Sequence, residues 1–414
     1  MTMSLTDVIG HEQQIEALRH AVAAERLPNA YLFVGPPNLG KTLLAREVAK
    51  AVNCERVPDN PSPAEVDSCG ECHNCVRIDQ TNHPDMEILR PAVRVEVKPP
   101  ESDAADDDGP RVRDVRRDVF IELPDAVIDT ERVGELMRHC SAKPALGKRK
   151  IGIICSAEQM NVAAANRLLK TLEEPPANTT FILTTANPSR LLDTIVSRCQ
   201  MVKLHPLANS ELRRALEERY TDAEPQLREA ATAMAGGRFG RASDLLGAPQ
   251  IISLRDELLD LIAAAPEAAL AECLVMGEKL AEMPQRWWAA VEAAEERAGE
   301  GSDEQRQMRA EALEELGKKS PDRINRLQMN ELLDILQTWH RDLTLLRANP
   351  NSPLVINLDR REQLRELAPV YSPDGLVWAS EIIEDARRDL LVHNANFALA
   401  CQVLMVKLIA ARRR

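Results

Sequence analysis

The 414-residue sequence predicts an α/β domain built on a mostly parallel sheet, followed by an all-helical region. Three observations predict it. Short apolar runs alternate with helical patterns as far as about residue 206, which is the mark of a parallel sheet covered by helices on both faces. From Leu207 onward strand signals fade and amphipathic helical spacing takes over. Aromatic residues are only 3% of a chain that is 44% hydrophobic, so its cores are built from Leu, Val, Ile and Ala, which favours helices.

Each element has its own justification. Ile15, Leu18, Ala21 and Val22 fall at helical spacing behind Asp7 or Gly10. Tyr31-Leu32-Phe33-Val34 reads as a buried strand stopped by Gly35-Pro36-Pro37, and Thr42 to Val52 as the next helix. Further strands are expected at Met86–Leu89, Val119–Leu123, Ile151–Cys155 and Phe181–Thr185. Helices are expected at Thr130–Cys140 and at Val162–Glu174, the latter stopped by Pro175-Pro176. Short helices follow at 210–219, 224–235 and 240–247, with Gly236-Gly237 as a break, and a predicted helix over Leu191–Val196 precedes them. Helical patterns at 251–264, 267–282, 286–318, 321–347, 359–369, 373–390 and 395–413 complete the chain as a bundle. One stretch breaks the alternation: Pro99 to Pro110 carries five acids and no base and reads as a solvated loop.

Composition sets limits on function. With 28% charged residues the chain is a globular mixture, which excludes disorder and collagen. No run of 18 apolar residues occurs, so no membrane span is expected. Met1 to Asp7 lacks the basic and apolar regions of a secretory signal, and a soluble cytoplasmic protein is the expectation. The net charge of -13, from 65 acids and 52 bases, argues against a chain that wraps DNA unaided; a nucleic-acid role would be shared with partners. Nine cysteines in a chain of this length point to metal ligation or burial rather than to disulfides.

Gly35-Pro36-Pro37-Asn38-Leu39-Gly40-Lys41-Thr42 fits G-x-x-x-x-G-K-[ST] without a mismatch, between a predicted strand and a predicted helix. The glycines let backbone N–H groups turn inward around a phosphate, and the helix N-terminus adds partial positive charge. Lys41 is expected to meet the β and γ phosphates of ATP or ADP and Thr42 to ligate Mg²⁺. Hydrolysis needs more: an acidic pair at the end of a neighbouring strand. The best strand, Lys150 to Ile154, ends in Cys155-Ser156-Ala157-Glu158. Phe181–Thr185 ends in Ala186-Asn187. The catalytic carboxylates are missing, with Glu158 a weak substitute.

Cys69, Cys72 and Cys75 lie within seven residues and Cys54 precedes them. Cys-x2-Cys spacing lets two thiolates reach one tetrahedral Zn²⁺ from a tight turn, and four thiolates close the shell, which marks a structural rather than a catalytic ion. His83 is the alternative should Cys54 not take part. The other cysteines, at 140, 155, 199, 273 and 401, read as buried small residues.

The chain resembles the AAA+ clamp-loader subunits of bacterial DNA polymerase III, most closely the delta-prime branch. The resemblance rests on Val8-Ile9-Gly10-His11, the phosphate loop, the four cysteines, His83-Pro84-Asp85, Ala164 through Pro176 (AANRLLKTLEEPP), and Ser197-Arg198-Cys199. Asn394-Ala395-Asn396 with Ala398-Leu399 is similar to the family's last collar helix. The resemblance implies an AAA+ core over 1–206, with a zinc module at about 54–75 and an acidic insertion at about 92–118. A helical lid over 207–249 and a helical collar over 250–414 would follow. It implies a hetero-pentameric ring with other clamp-loader subunits that loads the sliding clamp onto primed DNA, as part of a polymerase holoenzyme. Arg198 would be a trans-acting finger toward a neighbour's γ-phosphate. The departures implicate a stator: Cys155-Ser156 stand where the motor subunits carry Asp-Glu, and Gly240 where they carry a lid arginine, unless Arg241 serves one position on. The alternative is an active gamma/tau-like ATPase or a related AAA+ DNA remodeller. A polymerase active site in this chain has no support, because no strand offers paired metal-binding carboxylates.

Overall fold

A computed structural model describes residues 3–97, 117–122, 126–298, 308, 311–316, 321–391 and 395–412. The acidic stretch from Pro99 to Pro110, and Asn394, lie outside the described residues. The chain divides into two compact units. The first comprises the described parts of 1–93, 122–208 and 237–240, and the second the described parts of 94–121, 209–236 and 241–414.

The first unit is organised by a five-stranded sheet. Its strands are β1 (Ala30–Val34), β2 (Met86–Leu89), β5 (Lys150–Ile154), β6 (Thr179–Thr185) and β7 (Gln200–Lys203), in the order β2-β5-β6-β1-β7 and parallel throughout. All residues of β5 and β6 are buried, which is why they read as continuous apolar or β-branched runs rather than alternating ones. Side chains alternate between two cores. Tyr31, Phe33, Ile151, Ile153 and Ile182 pack beneath α1 (Glu12–Ala23) and α2 (Lys41–Asn53). Leu32, Ile154, Phe181 and Leu183 pack beneath α4 (Thr130–Ser141) and α5 (Val162–Glu173). The parallel α/β core expected from the alternation is present, and every β-to-α loop emerges at one edge of it. That edge carries the phosphate loop.

Some expectations are corrected. The strand expected at Val119–Leu123 does not join the main sheet: β4 (Arg117–Glu122) pairs with β3 (Ala92–Val97) in a separate two-stranded sheet. An apolar run shows that a strand can form but not which partner it will find. Strand β7 was not anticipated, because Gln200 and Lys203 at its ends give an edge strand little apolar signal. The α3 turn (His73–Asp79) was missed among the cysteines. The helix expected over Leu191–Val196 is confined to α6 (Asp193–Val196), behind a short turn at Pro188–Arg190.

Apart from the parts of β3 and β4 that fall in it, the second unit is helical: α7 (Asn209–Arg219), α8 (Pro225–Ala235), α9 (Phe239–Gly247, its first two residues counted with the first unit), α10 (Pro249–Ala264), α11 (Leu270–Ala298), α12 (Pro321–Ala348), α13 (Arg361–Leu367), α14 (Pro373–Leu391) and α15 (Phe397–Ala411). One apolar cluster runs through it from Ala230 to Ala411 and includes the fully buried Trp339. The helices expected at 267–282 and from 286 onward are one helix. Pro284 sits inside α11, flanked by the buried Met283 and Trp287. Burial of those side chains outweighs the one backbone hydrogen bond that proline removes. Among the described residues, no helix is long and apolar enough to cross a membrane.

Candidate functional site

The phosphate loop joins β1 to α2. Gly35 donates its N–H to the Thr185 carbonyl at the end of β6 (3.1 Å), and a Cβ at Gly35 would stand 2.7 Å from the Leu204 carbonyl oxygen, so only glycine fits. Asn38 (φ 60°) and Gly40 (φ 81°) adopt the left-handed conformation that turns the loop into the helix. Lys41 Nζ donates to the carbonyls of Gly35 (2.7 Å) and Pro36 (2.6 Å), folding over the loop it belongs to. Burial pushes the Lys41 ammonium down to about 8, and the nearby Glu158 and Cys155 partly restore it. The His11 ring reaches the Leu39 backbone, and burial lowers its pKa. Gly240 lies against the loop, where a Cβ would be 3.0 Å from the Asn38 carbonyl oxygen.

The position of the missing acidic pair is now defined. Cys155, just past β5, puts Sγ 3.4 Å from Thr42 Oγ1. Ser156 takes a left-handed conformation (φ 47°), and its N–H bonds to Thr184 Oγ1 (3.1 Å). Glu158 is closer to the loop than its offset suggested. Its Oε1 accepts the Ala186 N–H (2.9 Å), and its Oε2 is buried without a partner.

The four sequence-predicted cysteines come together. The Sγ atoms of Cys54, Cys69, Cys72 and Cys75 all lie within 4.8 Å of one another, with Cys69–Cys75 and Cys54–Cys72 both at 4.0 Å. A tetrahedral shell with Zn–S of about 2.3 Å has edges of about 3.8 Å, so the donors fit the ion after a slight contraction. The Cys72 N–H points at Cys69 Sγ (3.2 Å) and the Cys75 N–H at Cys72 Sγ (3.5 Å), which favours thiolate charge. His83 is not part of this group. Its Nδ1 accepts the Asp85 N–H (3.0 Å), which leaves Nε2 to donate to Asn74 Oδ1 (3.1 Å).

Cys54 caps the C-terminus of α2, so the helix carries the phosphate loop at one end and a metal donor at the other. Two buried polar clusters, whose roles sequence reasoning did not assign, lie in this unit. Lys50 and Glu47 of α2 are wholly buried and pair at 2.8 Å, with Asp79 of α3 bonded to Lys50 at 2.9 Å. The helical i,i+3 spacing of Glu47 and Lys50 was the available signal. Asp85 accepts the N–H groups of Ala145, Leu146 and Gly147, all at 2.7 Å, and pairs with Lys150 at 3.2 Å. Burial alone would raise its carboxyl, but those donors hold it down at about 2.

Arg198 follows α6 on an exposed turn. One guanidinium nitrogen donates to the Thr194 carbonyl (3.0 Å) and another to Glu173 Oε1 (2.7 Å), at the end of α5. The structure thus joins the two most specific motifs, AANRLLKTLEEPP and Ser-Arg-Cys. Arg241 pairs with Glu331 of its own unit at 2.7 Å.

Fold and site together define a parallel α/β domain whose first strand and helix are joined by a loop of the G-x-x-x-x-G-K-[ST] pattern. Residues 10–208 match the family model described as "DNA polymerase III, delta subunit". Over 210 residues, 51% of each chain, this chain is 31% identical to the DNA polymerase III subunit delta' of Bacillus subtilis. It is 36% identical over 171 residues to the delta' subunit of Pseudomonas aeruginosa, 41% of each chain. It is also 36% identical over 196 residues to the subunit tau of Bacillus subtilis, covering 47% of this chain and 28% of that one. Over about half of its length the chain is thus similar to bacterial DNA polymerase III delta, delta' and tau subunits. It spans about a quarter to a half of the length of these curated relatives.

Proposed function

We propose that the chain is a delta-prime-like stator of the replicative DNA polymerase III clamp loader: it binds nucleotide without hydrolysing it and lends Arg198 to a neighbouring ATPase subunit. The observation that carries this reading is Cys155 beside Thr42, at the point where a hydrolytic site needs a carboxylate to hold Mg²⁺ and an adjacent one to activate water. The delta' and tau relatives are equally similar, so the distinction rests on this position. Gly240 against the loop supports it, because it offers no cation to the phosphates.

In this reading residues 207–249 serve as the lid and 250–414 as the collar of a hetero-pentameric ring. The ring places the sliding clamp on primed DNA in the cytoplasm, and Cys54, Cys69, Cys72 and Cys75 hold one structural Zn²⁺. The Arg198–Glu173 pair is exposed and worth roughly 0–1 kcal/mol, so the guanidinium is free to swing to a neighbour's γ-phosphate. The second reading, a gamma/tau-like ATPase, draws on Glu158, whose carboxylate accepts the Ala186 N–H just past β6 and whose charge acts on Lys41. Steady-state ATP turnover by the isolated chain with Mg²⁺ separates the two. Background rates are expected. Turnover that disappears in Lys41→Ala would establish the motor instead.

A further inference from the structure

We infer that the outer edge of β7 docks an extended peptide segment of a partner protein, whose backbone pairs with Met201 and Lys203 and whose glutamate side chain reaches the Tyr31 hydroxyl. β7 ends the main sheet: it pairs with β1 on one side and, among the described residues, with no strand on the other. Just beyond it, Leu204 donates its N–H to the Val34 carbonyl of β1 (2.8 Å). Backbone groups alternate in direction along a strand, so Met201 and Lys203 turn theirs outward. The Lys203 carbonyl already accepts the Gln14 side-chain amide at 3.1 Å, where the N–H of an added strand would bond. A free edge of this kind recognises extended backbone, which neither a small ion nor a helix supplies.

The surroundings of the edge set the chemistry of the guest. A cavity of about 380 Å³ lies between β7 and the first half of α1, with Tyr31 in its wall. It belongs wholly to the first unit, and no residue of the phosphate loop lines it. Tyr31 is only 1% exposed, and among the described residues its hydroxyl has no hydrogen-bond partner. Burial pushes its pKa up to about 12 against the opposing pull of Arg149, so the phenol keeps its proton and can donate at neutral pH. A buried donor without a bond is costly, and an acceptor brought by a ligand removes that cost. Lys203 is the one formal charge among the lining residues, and Arg149 adds positive potential at the hydroxyl. Ala17, Leu18 and Val202 leave the rest of the wall apolar. A carboxylate on a short methylene stem satisfies all three features, and glutamate is that side chain.

The test uses the full chain and a fluorescent peptide of about eight residues, valine and threonine in alternation around one central glutamate. A control peptide carries norvaline in place of the glutamate. Wild type should bind the glutamate peptide about tenfold more tightly than the control, as expected for one charge-assisted hydrogen bond. Tyr31→Phe should erase that difference and keep the fold, since the lost hydroxyl makes no bond in the free protein. Met201→Pro removes an outward N–H and no bond to β1, and should weaken both peptides about tenfold. Amide exchange across β7 should slow with peptide in wild type. A preference for glutamate that survives in Tyr31→Phe, or its absence from wild type, would overturn the carboxylate assignment. Failure of wild type to bind at millimolar peptide, or binding unchanged in a folded Met201→Pro, would overturn the docking site. Self-association of the chain that Met201→Pro abolishes would give the edge to a second copy and overturn the partner assignment.

Discussion

Asp85 shows how much one side chain can carry. It is fully buried, yet three backbone N–H groups and Lys150 hold its carboxyl at about 2, below its ordinary 3.8. A depressed carboxylate adds stability above its unfolded pKa, and that stability is lost as pH falls through the folded value. Asp85→Asn should therefore cost about 2–3 kcal/mol at neutral pH, with the gap to wild type closing between about pH 4 and pH 2. Denaturant unfolding of both proteins across that range checks it; a gap independent of pH would mean that the cost is steric. Arg198 is the opposite case, an exposed residue with little structural weight. Arg198→Ala should change stability by no more than about 1 kcal/mol. In a reconstituted loader it should remove much of the clamp- and DNA-stimulated ATP hydrolysis, since a trans arginine is worth about 10³–10⁵ in rate at the site it serves. Arg198→Lys should rescue poorly, because an ammonium lacks the planar fork. Wild-type rates in an assembled Arg198→Ala complex would place the finger elsewhere.

Helix α2 is the element that ties the two candidate sites together. Its first turn holds Lys41 and Thr42, and its C-cap is Cys54. The buried Lys50 joins Glu47 on the same helix to Asp79 on α3. Lys50→Met would leave the buried Glu47 and the half-buried Asp79 without the cation they share, and a loss of about 3–5 kcal/mol is expected, as for other buried pairs deprived of one partner. Equilibrium unfolding measures it. The cysteine cluster at the far end of α2 should return one Zn²⁺ per chain by elemental analysis, falling well below one in Cys54→Ser. Full zinc retention in that variant would show that the fourth donor is not Cys54. His83 is a poor replacement, with both ring nitrogens engaged by Asp85 and Asn74.

At the scale of the whole molecule, each compact unit has its own apolar core, so thermal unfolding should show two transitions. Removal of zinc by a chelator should lower only the transition of the sheet-containing unit, and ADP should raise only that one, since ligands stabilise the unit that binds them. Calorimetry with and without each ligand decides this; equal shifts of both transitions would contradict it. The sequence by itself determined the local matters: the phosphate loop, the cysteine spacing, the buried strands β1, β5 and β6, and the helical second half. Each is written in contiguous residues, as a glycine pattern, a ligand interval or a hydrophobic period. Only the tertiary structure decided the rest. It separated β3 and β4 from the main sheet, carried α11 through Pro284, set Cys155 against Thr42, and brought Glu158 to the Ala186 N–H past β6. Those outcomes depend on which surfaces meet once the chain has folded, 113 residues apart for Cys155 and Thr42 and 28 for Glu158 and Ala186, and a local pattern holds no record of the partner that will bury it.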